Sequence, residues 1–164
     1  IKQYAQAGLQ GKIPLYSVFT VDSIALPKLQ KANMNGVMGS VMTQFWAPDL
    51  DTPQNKKFVS GFKKKYGRYP SFYAAQSYDT IFLIKSAVEA VEGDLSNKDG
   101  MRAAMEKANF PSVRGKFSYG NNHFPIQNFY SREVVKDSDG VWTTSVREVV
   151  LKNHQDTYAK DCSM

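Results

Sequence analysis

Three kinds of residue in this sequence could carry chemistry: two histidines, one cysteine, and a set of aromatic and hydroxyl side chains at the ends of predicted strands. His123 and His154 stand far apart, and neither has the neighbours that a zinc site needs. Cys162 lies in the tail rather than on a strand-to-helix turn, so it reads as a spare or intermolecular thiol and not as a nucleophile. No G-x-S-x-G, P-loop or G-x-G-x-x-G occurs. Gly36-Val37-Met38-Gly39 echoes a phosphate loop but lacks the lysine and precedes a strand. No acid–base or nucleophile arrangement emerges, so an enzyme is the least favoured class, and no metal or cofactor is implied.

The third set is more informative. Tyr16, Ser17, Val18, Phe19 and Thr20 end one apolar run, and Thr43, Gln44, Phe45 and Trp46 end another. In open α/β sheets, ligands bind beyond the carboxyl ends of the strands. Tyr73 stands near a predicted helix start, where backbone N–H groups are free. Apolar walls with a few hydrogen-bonding groups make up a small-molecule site. The same residues would serve equally as caps on the sheet, and their composition does not separate the two readings.

Local patterning supplies the elements that would position them. Ile1 to Ala7 has helical spacing and Gly8 and Gly11 stop it, with no cap residue or initiator Met ahead. Ile13 to Phe19 and Val37 to Phe45 read as buried strands. Asp22 or Ser23 caps a helix from Ser23 to Ala32, with Pro27 in its first turn. Thr52 and Pro53 open a helix to Tyr66 whose apolar side is Phe58, Val59, Phe62 and Tyr66, and Gly67 ends it. A long helix from Tyr73 to Val91 and a shorter one from Asn97 to Ala108 follow. Val113 to Tyr119, Phe129 to Lys136 and Val141 to Leu151 then alternate as strands, with a hairpin turn at Asp137 to Gly140. The tail from His154 to Met164 reads as a helical turn. The order predicts an α/β fold with parallel connections and a closing antiparallel hairpin.

The chain has 164 residues and a formal charge of +6. Lys56, Lys57, Lys63, Lys64, Lys65 and Arg68 fall in a stretch without Asp or Glu, from Asn55 to Tyr78. Outside it, fifteen basic residues face fifteen acidic ones. A local patch predicts a solvated helix face, not a protein that coats nucleic acid. A basic nucleic-acid-binding module is therefore a minor alternative, and no nucleic-acid partner is expected. No apolar run approaches the ~20 residues that span a bilayer. One cysteine excludes an internal disulfide.

Read in order, G-x-x-G-K-I-P-L-Y-S, N-G-V-M-G-S, F-W-A-P, F-V-S-G-F-K-K-K-Y-G-R-Y-P-S-F-Y-A-A-Q-S-Y-D-T and S-V-R-G-K-F-S-Y-G-N-N-H-F-P-I-Q resemble the second half of type I periplasmic solute-binding proteins. The likeness is to the branched-chain amino-acid-binding group that serves ABC importers. It implies two α/β lobes joined by crossing segments, a parallel sheet flanked by helices, and a ligand held in the cleft. It also implies an incomplete chain: residues 1–45 would be the later part of the second lobe, residues 46–110 the return to the first, and residues 111–164 a crossing strand, closing hairpin and tail.

The resemblance further implies a periplasmic protein that does no chemistry and hands its solute to a membrane permease. Ser17, Phe19 and Thr20 match the segment where amino-acid binders place an acidic group for the ligand ammonium. Here Phe19 takes that place, and a ring offers an apolar or π surface instead. An aromatic acid or another hydrophobic organic solute then fits better than an ordinary α-amino acid. Phe45, Trp46 and Tyr73 would line the cleft and hinge side, with His123 a further contact. A sensor domain with the same fold is the alternative job. The isolated chain, with an open sheet edge, is expected to oligomerise or to need the missing half.

Overall fold

The computed structural model describes residues 1–162. In chain order it has α1 (Lys2–Gln6), β1 (Tyr16–Val18), α2 (Leu26–Lys31), a 3₁₀ turn (Asn35–Val37), β2 (Val41–Gln44), α3 (Pro53–Tyr66), α4 (Phe72–Ala90), α5 (Lys98–Lys107), β3 (Ser118–Tyr119), β4 (Pro125–Lys136), β5 (Trp142–His154) and a second 3₁₀ turn (Ala159–Asp161). β1 pairs parallel with β2, and β2 pairs antiparallel with β4. β4 also pairs antiparallel with β5 and, at its start, with β3. The result is a mixed α/β fold, an open sheet flanked by helices.

The helices form where their caps predict. The Thr52 hydroxyl accepts from the Asn55 N–H, Pro53 opens α3, and Gly67 ends it at φ 65°. The Ser71 hydroxyl accepts from the Ala74 N–H and starts α4 one residue before Tyr73. Asn97 caps α5 by accepting from Gly100. Each such cap contributes about 1 kcal/mol. In the β4–β5 turn, Asp137 Oδ1 accepts from the N–H groups of Asp139 and Val141, and Gly140 takes φ 77°.

The strands depart further from expectation. The run Ile13–Phe19 is not a buried strand: only Tyr16–Val18 pairs, and Ile13, Tyr16, Val18 and Phe19 are all exposed. Among the described residues β1 pairs with β2 on one side alone. Val37 lies in the 3₁₀ turn, so the second strand begins at Val41 and ends before Phe45. α2 starts at Leu26, three residues after the predicted Ser23, because Asp22 Oδ1 first accepts from Ile24 and Ala25 in a turn. Of the predicted strand Val113–Tyr119, only Ser118 and Tyr119 pair; Val113 is instead buried in a turn. β4 begins at Pro125, earlier than Phe129, and β5 runs on to His154. Tyr66, predicted on the apolar side of α3, is 53% exposed.

Apolar residues gather into two clusters. Phe45, Trp46, Leu50, Phe58, Phe72, Val113 and Tyr130 form the larger, under α3 and α4. Val21, Leu26, Val37, Met42, Val134 and Trp142 form the other, under α2. β4 contributes to both, through Tyr130 and Val134, and β2 to the second, through Met42. Among the described residues no helix is long and apolar enough to cross a membrane.

Candidate functional site

Phe19 closes the loop after β1 with its backbone in the left-handed region, at φ 60°. For a bulky residue that conformation costs roughly 1–2 kcal/mol. It turns the ring toward Phe72, the first residue of α4, with centres 5.2 Å apart. Phe72 is buried and meets Phe45 edge-on at 6.1 Å and Tyr73 at 3.9 Å. Four rings from three elements thus form one aromatic group. Phe45 and Phe72 are its buried base, and Phe19 and Tyr73 its exposed side, at 54% and 57% exposure.

Of the residues predicted for a site, Phe19, Phe45 and Tyr73 converge in this way. Phe72 was absent from that set. Its signal was an aromatic ring directly after the Ser71 cap, one place before Tyr73. Ser17 lies on β1, half-buried, with its Oγ enclosed and without a hydrogen-bond partner among the described residues, beside a small surface pocket of about 230 Å³. The Thr20 hydroxyl donates to the Val18 carbonyl at 3.0 Å and is exposed. Trp46 departs from the expectation that it lines a cleft. It is 1% exposed, packs edge-on against Phe58, and donates its indole N–H to Asn55 Oδ1 at 2.7 Å. Asn55 holds it there while donating to the carbonyls of Ala47, Pro48 and Leu50. His123 is exposed, with Nε2 3.5 Å from Glu106.

A charged network backs the rings. Asp79 of α4, 1% exposed, accepts from Arg114 Nε at 2.9 Å, the Ser112 hydroxyl at 2.6 Å and the Val113 N–H at 2.9 Å. Arg114 Nη1 donates to Gln127 at 3.0 Å. The guanidinium lies 5.3 Å from the Phe45 ring centre and 4.3 Å from that of Phe117. An acid inside an apolar helix was the sequence signal for this network. The lysines of α3 point elsewhere. Lys63 sits 4.1 Å from the Tyr69 ring centre, and Tyr69 donates to Asp137 at 2.8 Å. An apolar groove of about 630 Å³ between α3 and α4 has Phe62, Tyr66, Tyr78 and Ile81 in its walls. Chemically, the aromatic group offers stacking surface.

Comparison with known proteins identifies the family. The family model described as Periplasmic binding protein matches residues 1–140. A Leu/Ile/Val-binding protein homolog 6 from Brucella abortus is 34% identical over 110 residues, covering 64% of this chain and 27% of that protein. A solute-binding protein of an ABC transporter from R. palustris, solved in complex with benzoate, is 31% identical with a TM-score of 0.78, covering 95% of this chain and 40% of that one. A second, from Rhodopseudomonas palustris HaA2 in complex with p-hydroxybenzoic acid, is 29% identical with a TM-score of 0.78, covering 95% and 42%. The chain thus spans less than half the length of each of these relatives. With the family model matched over most of its residues and the fold shared, the chain belongs to the periplasmic binding protein family.

Proposed function

We propose that this chain is part of the solute-binding component of an ABC importer, and that its solute is an aromatic carboxylic acid. One observation carries the reading: Phe19 and Tyr73 present exposed rings around buried Phe72. A planar aromatic solute gains offset or edge-to-face contacts on such a surface, each worth about 0.5–1.5 kcal/mol beyond the buried area. The benzoate and hydroxybenzoate complexes of the R. palustris proteins support that solute class.

In this reading the two hydrophobic clusters are the cores of two lobes, with β2 and β4 crossing between them. Solute favours the closed arrangement because only that state touches it from both sides. A membrane permease then recognises the closed form, and the protein works in the periplasm. Ser17 and Thr20 border the site, Phe45 supports its base, and Trp46 contributes through the core.

Calorimetric titration of the full-length polypeptide tests this. Benzoate or a hydroxybenzoate binds at micromolar concentration or below, and leucine binds far more weakly. Tight leucine binding with no response to aromatic acids contradicts it.

A further inference from the structure

The groove between α3 and α4 is an apolar surface that the proposed solute site does not use. Its floor is built of rings. Phe58 is buried, with its ring centre 5.9 Å from that of Phe62 and 4.7 Å from that of Tyr78. Tyr66 on the α3 wall and Ile81 on the α4 wall are 53% and 65% exposed. Gly61 lines the groove from the middle of α3, where glycine is unfavourable. A Cβ at that position would meet no atom within 4 Å, so the notch leaves room for another backbone to approach. Exposed apolar surface with a polar edge marks a docking site.

Charge narrows what fits there. From Asn55 to Tyr78 the sequence has no Asp or Glu. Lys56 and Lys63, on another side of α3, pair with Asp51 and Asp137. Lys57 and Lys65 edge the groove, are exposed, and make no ion pair among the described residues. They stand about two turns apart, roughly 12 Å along the helix. Arg68 adds a third cation, 5.3 Å from the Phe62 ring centre.

We infer that this groove docks an amphipathic helix of a protein partner, its apolar stripe on the rings and its carboxylates opposite Lys57 and Lys65. A trough of this length takes the anchors of one helix face, spaced i, i+3 or i+4, and i+7. A small anionic molecule would call for one cation at one end; here the unpaired ammoniums lie along the edge. A membrane meets the convex apolar face of a single helix, whereas this surface is a trough between two. The inference does not use the solute assignment.

The test uses the full-length polypeptide and a fluorescent model peptide, a helix with leucines along one face and glutamates two turns apart at its edge. That peptide binds at micromolar concentration, and its counterpart with lysines in place of the glutamates binds at least about tenfold more weakly. Lys57→Glu with Lys65→Glu reverses the preference. Gly61→Leu fills the trough and abolishes binding without lowering Tm, since leucine suits a helix better than glycine. No binding of the glutamate peptide, equal affinity for the two peptides, or binding that survives Gly61→Leu overturns the proposal. Other occupants have their own readouts. In a Cys162→Ser background, Gly61→Cys reacts readily with a maleimide. Protection until the chain is unfolded places the rest of the polypeptide itself in the groove and overturns the proposal. A dimer in light scattering, or retention on phosphatidylglycerol vesicles, that Gly61→Leu abolishes overturns it as well.

Discussion

The ring of Phe19 lies 5.2 Å from the ring of Phe72, at an interplanar angle of 52°. The contact joins the loop after β1 to the N-terminus of α4, and it brings the α2 side of the sheet against the larger cluster. Phe72 is 4% exposed and Phe19 is 54% exposed, so the two rings have different duties. In the proposed reading, one supports the site and the other is free to meet a solute.

Substitution separates those duties. Phe72→Ala removes a buried ring and is expected to cost about 3–5 kcal/mol of stability in chemical denaturation. Phe19→Ala is expected to cost less than about 1 kcal/mol, as surface changes do, and to weaken aromatic-acid affinity about tenfold. Phe19→Gly relieves the left-handed backbone, so it is expected to be no less stable than Phe19→Ala.

Trp46 provides the contrasting case. Asn55→Ala would leave the Trp46 indole N–H and three carbonyls without their partner. At roughly 1–3 kcal/mol per unsatisfied buried group, unfolding by denaturant shows a loss of at least about 3 kcal/mol. The tryptophan emission shifts to the red in that variant. Trp46→Phe changes solute affinity less than about twofold, since the ring sits in the core.

Asp79 and Arg114 form a buried pair, with side chains 1% and 9% exposed. Asp79→Ala strands the guanidinium, and breaking such a pair costs about 3–5 kcal/mol. Denaturation of the single variants and of Asp79→Ala with Arg114→Met measures this. The double variant is expected to be more stable than Asp79→Ala alone, because the stranded charge is gone.

Asp137 predicts an acid-side dependence. Burial pushes its carboxyl up, but hydrogen bonds from the Tyr69 hydroxyl and from the Val141 and Asp139 N–H groups, with the Lys63 ammonium, bring it below its ordinary value of 3.8. A carboxyl held down in the folded state contributes stability that is fully present above its unfolded value. That contribution is lost as pH falls through the lower folded value. Denaturation midpoints therefore fall below about pH 4, and Asp137→Asn flattens the fall in that window. Between pH 5 and 7 the parent and variant slopes are the same.

The helices were legible because their signals are local: Thr52 with Pro53, Ser71, Asn97 and Gly67 each act within four residues of the end they mark. The strands were not, because their fate depends on what covers them. The run Ile13–Phe19 is apolar enough to be buried, yet β1 pairs with β2 alone and leaves Tyr16 and Val18 exposed. Part of the aromatic group was readable as aromatic residues at strand ends, which brought Phe19 and Phe45 into the candidate set. The same rule misplaced Trp46, since nothing local announces that Asn55 will capture the indole. Phe72 was missed because its importance comes from a ring brought to it by tertiary folding.

The central claim is that an aromatic acid sits against Phe19 and Phe72. Intermolecular NOEs between benzoate ring protons and the phenylalanine rings of the full-length polypeptide test it most directly. The account predicts cross-peaks to Phe19 and Phe72, with the Phe19 set abolished in Phe19→Ala. Benzoate that binds without a cross-peak to either ring, or that does not bind at all, contradicts it.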